Sequence, residues 1–572
     1  MSRLRAILAV ALTVVFPLSG RAGETFSRAT APPTNTSDII DFRLAAHWQA
    51  ARVKPAPPAD DAEFLRRVTL DLTGRLPDDA ERRAFLAAPA ERRRAALIER
   101  LLAGPEFPLH FARVVDDWIQ RDKHGDDAFV EWLRAGLAAR RSWDALFTSM
   151  LVGPWETEAD RPANKFLTKR AKNLDALTAD GSRAFFGVDI TCARCHDHPL
   201  VADWKQQHYY GLASFFHRTQ LTNSKGSSGK QQESIGEKKD GELSFAVKGG
   251  ATQAARPMFL DGVVVAHDEA STKPNGSDKS SKAEPTSRRK LLVEAALREK
   301  RFLSRAAVNR VWAWFFGRGL VEPVDQMHSG NPASVPKLLD ELADDFAAHG
   351  YDLHRLVKQI VTSRAYQATY RRLKEDGFEP QRHRGTEKTG EEEEGGIAAA
   401  SDPIDLFLAP RLRPLTPRQY SLSLVAALAG DGLGGEPKTE QERGERAKRY
   451  RELEKTAASL CGELDPTVEG YQAGYREALY VTNHAAFQKL IGSANETPPP
   501  NSLVAKLTAL GDDEARVAAA FETLLGRRPT SDELRLVVAS WRSPASAATP
   551  PREHVADLLW VLATSAEFRF NH

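Results

Sequence analysis

The sequence contains little cysteine and little methionine, with three and four residues respectively among 572. Small exported domains that depend on disulfide bonds carry cysteine at a far higher density, so a disulfide scaffold is excluded. Hydrophobic residues make up 42% of the chain, which is enough for ordinary buried cores. A chain of this length is expected to form two or three domains.

The sequence also lacks a long apolar run and a strong net charge. The apolar run at residues 6–16 is much shorter than the about 20 residues that cross a bilayer, so no integral membrane segment is predicted in the mature chain. Arg3 and Arg5 precede this run and small residues follow it, which predicts a signal peptide over residues 1–22 and an exported protein, periplasmic or secreted. Without the three arginines of that peptide the formal charge changes from +2 to −1, so no nucleic-acid partner is expected.

Two of the three cysteines stand together in the run Cys192-Ala193-Arg194-Cys195-His196. This C-x-x-C-H spacing is that of covalent c-type haem attachment. Each thiol can add to a vinyl group of the haem, and the adjacent imidazole can supply a nitrogen to the iron. We therefore predict haem c as the cofactor, bound by Cys192, Cys195 and His196, and electron transfer with an exported redox partner as the function. The motif assigns no enzymatic reaction.

Two other uses of these residues stay open. Zinc is the alternative cofactor, with Cys192, Cys195 and His196 as ligands, His198 as an alternative ligand, and one further ligand to complete the site. The chain would then be a non-haem exported scaffold or hydrolase. A small redox or structural disulfide between the two cysteines is the other use, which the spacing favours but the missing thioredoxin-like pattern does not.

The sequence does not fix the second axial ligand of a haem iron. A thioether ligand would raise the reduction potential relative to a second imidazole. His198 is disfavoured because it lies only two residues from His196. The thioether and imidazole candidates after the motif are Met258, Met327, His198, His208, His217 and His328.

The fold is predicted to be mainly α, with multi-helical domains, a small β-containing insert and disordered linkers. Apolar residues recur at three- and four-residue steps through most of the chain, which indicates amphipathic helices. Asp78-Asp79-Ala80-Glu81 after Pro77 is typical of a helix start. The predicted blocks are a helical domain with the motif at 38–221, a polar insert at 222–290, helices at 291–370, a charged linker at 371–409 and helices at 410–572.

The polar insert is expected to be mostly mobile, because its Ser, Lys, Gly, Glu and Asn residues cannot bury much apolar surface. Two alternating runs, at 242–247 and 258–265, are expected to pair as a small β element, with a turn at Asp261-Gly262.

A second group of polar residues lies in the 291–370 block. A structural network that joins two helices is favoured over a substrate-binding face, since structural ion pairs are commoner than catalytic constellations. The members of the second group are Asn309, Arg310, Arg318, Glu322 and Asp325.

Two carboxylates lie closer to the motif in the sequence. Asp197 and Asp203 are expected to orient His196 or to cap a loop.

The order of these segments resembles a known arrangement. Residues 186–199 and 208–216 resemble the cytochrome-like domain of planctomycete-type secreted proteins, and 307–325 resemble the companion domain that follows it in that family. The resemblance implies this architecture and export, but no activity, because the family is largely uncharacterised. It continues through residues 349–353, 363–367, 413–416, 525–529 and 565–572.

Overall fold

A computed structural model describes residues 36–123, 125–225, 231–247, 250–265, 286–370, 406–430, 433, 437, 439–461, 484–492, 498–544, 546 and 548–571. The predicted signal peptide at 1–22 lies outside these residues. So do residues 371–405, which are most of the predicted charged linker.

The described chain is mainly α-helical, which confirms the predicted fold class. None of the helices in these ranges is both long and apolar enough to span a bilayer. The helices are α1 Thr36–Ala51, α2 Asp61–Thr73, α3 Asp79–Ala87, α4 Ala90–Ala103, α5 Glu106–Gln120, α6 Asp127–Ala138, α7 Trp143–Leu151, α8 Lys165–Thr168, α9 Leu174–Phe186, α10 Gln206–Phe216, α11 Arg288–Glu299, α12 Arg301–Phe316, α13 Leu338–Ala348, α14 Leu353–Thr362, α15 Pro417–Leu428, α16 Glu440–Cys461, α17 Ala485–Leu490, α18 Leu503–Thr508, α19 Asp513–Leu525, α20 Ser531–Trp541, α21 Pro551–Thr564 and α22 Ala566–Arg569.

The strands of the described residues form small antiparallel pairs. Strand β1 (Thr219–Lys225) pairs with β2 (Gln231–Glu237), β3 (Ser244–Ala246) with β4 (Thr252–Ala254), and β5 (Arg413–Pro414) with β6 (Phe570–Asn571). The β1–β2 hairpin was not predicted, because its polar strands lack the alternation that marks a half-buried strand.

The predicted pairing of run 242–247 with run 258–265 is wrong. The first run supplies β3 and pairs with β4. The second run folds back on itself, with a bridge between Met258 and Val264. Gly262 has a φ of 79° at this reversal, so the Asp261-Gly262 turn is present but closes a hairpin within one run.

Contacts divide the chain into two compact units. The motif unit comprises residues 36–43 and 108–360 of the described chain, and the C-terminal unit comprises 44–107 and 361–571. The units therefore cut across the blocks expected from sequence order: residues 108–221 fold with 291–360, and residues 44–107 fold with the C-terminal helices.

Aromatic rings form the core of the motif unit. The ring of Phe185 in α9 lies 5.0 Å, centroid to centroid, from that of Phe147 in α7. Its neighbour Phe186 lies 5.2 Å from Phe259, which lies 5.8 Å from Phe302 in α12. These edge-to-face pairs are the arrangement that aromatic quadrupoles favour, and they join α7, α9, α12 and the 258–265 hairpin.

A buried carboxylate organises one part of the C-terminal unit. Asp71 of α2 is fully buried, and its Oδ1 accepts hydrogen bonds from Arg413 (2.6 Å) and Asn571 (2.7 Å). Its Oδ2 accepts the hydroxyl of Tyr366 at 2.7 Å. Burial raises the pKa of Asp71 despite the nearby Arg413 guanidinium. One side chain thus holds together three segments that are distant in the sequence.

A second buried network lies at the start of α3. The predicted helix start is confirmed, because Asp78 caps the helix and forms a capping box with Glu81. Glu81 also accepts two hydrogen bonds from Arg75, at 2.8 and 2.9 Å, and one from Arg446 at 2.7 Å. Both guanidinium groups also pair with Glu106. Although burial opposes ionisation, Arg75 holds the pKa of Glu81 well below its usual range.

Candidate functional site

The motif follows the C-terminal end of helix α9, which is fixed by the conformation of Gly187 and by contacts with Met327. Helix α9 ends at Phe186 and is capped by Gly187, whose φ of 67° is in the left-handed region. A side chain there would also approach Sδ of Met327 to 3.0 Å, so glycine suits both the conformation and the space. The amide of Met327 donates to the carbonyl of Gly187 at 3.0 Å, which sets the direction in which the chain enters the motif.

A short polar network then shapes the motif itself. Asp189 accepts the amide of Thr191 at 3.0 Å and its hydroxyl at 2.6 Å, an Asx arrangement that starts a turn. Arg183 of α9 donates to Asp189 at 2.8 Å and to Thr191 at 2.9 Å. Despite partial burial, these hydrogen bonds hold the pKa of Asp189 below its usual value. The turn requires Asp189 as an ionised carboxylate, because this form accepts all of these hydrogen bonds.

Residues Thr191–Arg194 form a 3₁₀ turn. Such a turn has three residues per revolution, so side chains three apart lie one above the other. Cys192 and Cys195 have this spacing, and both are exposed free thiols. Ala193 between them is fully buried and anchors the turn to the protein, whereas both thiols are exposed.

Gln206, the first residue of α10, fastens the far end of the motif. Its side-chain nitrogen donates to the carbonyls of Arg194 and Cys195, each at 3.3 Å, and of Ala246 in β3 at 3.1 Å. Its backbone amide donates to Asp197 at 2.9 Å. The side chain is buried, so the motif backbone is held from inside the protein while its thiols remain outside.

The hydrogen bond of His196 defines its tautomer. Nδ1 lies 2.6 Å from the backbone carbonyl of Asp197, and a carbonyl oxygen can only accept. Nδ1 therefore carries the proton, and the lone pair of the neutral ring is on Nε2. His196 is exposed. Metal-bound histidines usually have their other ring nitrogen oriented in this way, so the geometry suits a ligand that binds through Nε2.

His198 has the opposite tautomer. Its Nδ1 accepts the amides of Leu200 at 3.2 Å and Val201 at 3.0 Å, so in the neutral ring the proton is on Nε2. Binding a metal through Nε2 would require Nδ1 to become a donor facing two other donors. The geometry therefore favours His196 over the alternative ligand His198, whose contacts close a loop.

That loop is the 198–204 turn. The amide of His198 donates to the carbonyl of Trp204 at 2.8 Å, and the rings of Trp204 and Phe302 lie 6.4 Å apart. Val201 and Trp204 are buried. Asp203 accepts the amide and hydroxyl of Ser329, at 2.7 and 2.5 Å. Asp203 therefore ties the turn to the loop after α12 and does not contact His196 in its predicted orienting role; Asp197 orients that ring through its backbone carbonyl.

Both predicted thioether candidates are buried packing residues. Met327 packs against Gly187, and Met258 packs against Gly211 of α10. His217 is at the C-terminal end of α10, about 16 Å along the helix from Gln206, so the structure does not bring it to the motif. His208 is nearer, but its Nδ1 accepts the amide of Lys205 at 3.0 Å. His328 adjoins Ser329 and so lies beside the 198–204 turn.

The polar residues of the second group brace the loop after α12. Asn309 is fully buried, and its side chain exchanges two hydrogen bonds with the backbone of Val321, at 2.8 and 3.0 Å. Glu322 accepts the amide of Gly319 at 2.8 Å, and Asp325 pairs with Arg121 at 2.9 Å. These contacts are those of a structural network.

Arg310 joins this network to the motif. Its Nη2 donates to the backbone carbonyl of Arg183 in the last turn of α9, at 2.7 Å. The side chain is buried, and burial lowers its pKa to about 10, so it remains charged at neutral pH. Because the side chain of Arg183 holds Asp189 and Thr191, Arg310 supports the motif through one intervening residue.

Sequence reasoning missed Gln206, Arg183 and Asp189. The Asp-x-Thr pattern directly before Cys192 is a turn signal that was available. Nothing in the spacing pointed to Gln206. Within the described ranges, no group of three or more His, Cys, Asp and Glu side chains is arranged to hold a metal ion.

Two family models match the chain. Residues 39–221 match PSCyt2, described as a protein of unknown function (DUF1549), and residues 287–384 match PSD1, described as a protein of unknown function (DUF1553). No curated protein and no solved structure has a significant match. The first match contains the motif with α9 and α10, and the second contains α12 and the loop that braces them. The chain therefore carries this pair of domains of unknown function, in this order.

Proposed function

We propose that this protein is an exported, cytochrome-like electron-transfer protein that binds c-type haem at Cys192, Cys195 and His196. The observation that carries the proposal is the motif geometry. The 3₁₀ turn contains Cys192 and is directly followed by Cys195, and both thiols are free and exposed. His196 donates its Nδ1 proton to a backbone carbonyl, which leaves the Nε2 lone pair available.

These residues fit the chemistry of the group. The thiols of Cys192 and Cys195 would hold it through thioether bonds, and Nε2 of His196 would be the proximal ligand. When bound, the haem supplies a one-electron redox centre. Gln206 and the Arg183–Asp189 pair hold the turn that carries these ligands, so the chain provides a preformed backbone for attachment.

The surface position of the motif supports electron exchange with a partner. Both cysteines and His196 are exposed, so a second exported protein can approach the site without a change in the fold. No reaction of a substrate is proposed, because the described side chains around the motif are occupied in holding its backbone.

The zinc alternative uses the same three residues and needs a further ligand. The tautomer of His198 makes it a poor choice for that ligand. Zinc is therefore kept as an outcome of the experiment, together with the scaffold or hydrolase role that it would imply.

The experiment is expression of the protein with a c-type haem-attachment system. We expect a band that stains for haem after denaturing electrophoresis and a reduced pyridine haemochrome spectrum equivalent to one haem per chain. Cys192→Ala/Cys195→Ala should abolish both signals. Cys461→Ala, which removes the third cysteine of the chain, is the matched control and should retain them.

A histidine pair tests the choice of ligand. His196→Ala should change or abolish the haem spectrum, whereas His198→Ala should retain the proximal-ligand signature even if it destabilises the 198–204 turn. A colourless wild-type protein with stoichiometric zinc would contradict the haem proposal.

A further inference from the structure

Leu200 is unlike the other exposed apolar residues. It exposes 90% of its surface, whereas the other large hydrophobic residues on the described surface expose between 36% and 49%. A single exposed leucine is common in proteins and needs no explanation by itself. Leu200 needs an explanation because its backbone is fixed and because it lies four residues beyond His196.

The backbone of the 198–204 turn is held at several points. Nδ1 of His198 accepts the amides of both Leu200 and Val201, and Pro199 has a restricted φ. The turn is closed by the bond from His198 to Trp204, at 2.8 Å. The exposure of Leu200 is therefore set by the turn and does not result from a loose loop.

The turn also separates its apolar side chains by direction. Val201 and Trp204 point inward and are buried, while Leu200 points outward. Burial of a leucine side chain is favourable relative to full exposure to water. A turn that fixes such a residue in water gains this stabilisation when another apolar surface covers the side chain.

The motif supplies that surface if haem is attached. Four residues span at most about 14 Å, so Leu200 lies within that distance of His196 along the chain. We infer that Leu200 packs against the edge of the attached haem beside His196 and shields that edge from water. The inference rests on the proposed function and commits to the haem as the group that covers Leu200.

The consequence is measurable as a change in reduction potential. Solvent exposure of a haem stabilises its oxidised, more highly charged state. Leu200→Ser should therefore shift the equilibrium with a one-electron mediator about tenfold toward the ferric form, which corresponds to 59 mV. Leu200→Met should keep the wild-type potential. Leu412→Ser changes an exposed leucine of the C-terminal unit and should have no effect.

The outcomes distinguish the two proposals. If the wild-type protein carries no covalent haem, the proposed function fails and the inference fails with it. If Leu200→Ser carries haem, unfolds like the wild type and has the wild-type potential, the inference alone is wrong. If Leu200→Ser keeps the potential but loses electron exchange with a second redox protein, Leu200 contacts the partner and the inference is again wrong.

Discussion

The buried charged network around Glu81 and the exposed motif around Cys192 use reactive residue types in opposite ways. In the C-terminal unit, the carboxylates of Glu81 and Asp71 are buried and bonded to arginine or hydroxyl donors. In the motif unit, the polar contacts hold the backbone of the motif, while the thiols of Cys192 and Cys195 face outward and are free.

The difference shows how a structural cluster can be told from a candidate site. Removing one partner of a buried ion pair leaves an uncompensated charge and costs stability. Removing an exposed thiol costs little stability but removes the group that binds a ligand. The four predictions below test this contrast, from the largest expected effect to the smallest.

Arg75→Met should have the largest effect on stability. It removes one of the two buried guanidinium groups that pair with Glu81 and Glu106, so the free energy of unfolding should fall by about 3–5 kcal/mol, measured by urea denaturation. The reaction rate of Cys192 and Cys195 with a chromogenic thiol reagent should stay unchanged in the folded protein. Arg100→Met is the control, because Arg100 is a more exposed and more distant partner of Glu81, at 3.5 Å. Equal effects of the two variants would contradict the assigned network.

His354 should make the motif unit sensitive to acid. Burial, together with the nearby Arg140, lowers its pKa from 6.5 to about 4. Between these values the unfolded chain binds a proton that the folded chain does not, so stability is complete above pH 6.5 and falls as the pH decreases toward 4. The expected loss is about 3 kcal/mol.

Denaturation at several pH values in this window measures that loss. His354→Leu removes the titrating group and should remove the corresponding part of the slope. An unchanged slope in His354→Leu would show that other groups dominate the acid response.

Gln206→Ala should have a smaller and local effect. The variant leaves the carbonyls of Arg194 and Cys195 without their shared donor, which should cost about 1–3 kcal/mol. It should also alter the thiol reactivity of Cys195 and broaden the haem spectrum. Gln207→Ala is the control, because Gln207 is the exposed neighbour. Indistinguishable behaviour of the two variants would mean that Gln206 does not position the motif.

Arg194→Ala should have the smallest effect. Arg194 pairs with Asp175 at 3.0 Å, and both side chains are about half exposed, so the change in stability should lie between 0 and about 1 kcal/mol. Haem content should remain that of the wild type. Ala193→Leu, at the buried position of the same turn, should reduce haem content by overpacking. Loss of haem in Arg194→Ala alone would give this side chain a direct role.

Structural features formed by residues close together in the sequence were predicted well. The start of α3 followed from the spacing of Asp78 and Glu81, because a capping box is formed by residues three apart. The C-x-x-C-H turn is local for the same reason. The spacing could not choose between His196 and His198, because the tautomer of each ring depends on which backbone groups face it after folding.

Long-range contacts were beyond the sequence. Helix α16 has mixed charges along its sequence, a pattern typical of an exposed helix, yet it buries Arg446 and Tyr450. Arg446 completes a network whose other members lie about 350 residues earlier, as with Glu81, 365 positions away. The 258–265 run was wrongly paired because an alternating pattern identifies a strand-like segment but not its partner.

The hydrogen bond between Asn571 and Asp71 joins residues 500 positions apart, and it has a consequence for biosynthesis. A nascent chain emerges from the ribosome in order, so α2 is made long before Asn571 and Arg413 exist to neutralise its buried carboxylate. Residues 108–360 are complete much earlier. All residues of the motif unit are therefore synthesised while the C-terminal unit still lacks Arg413 and Asn571, two of the hydrogen-bond partners of Asp71.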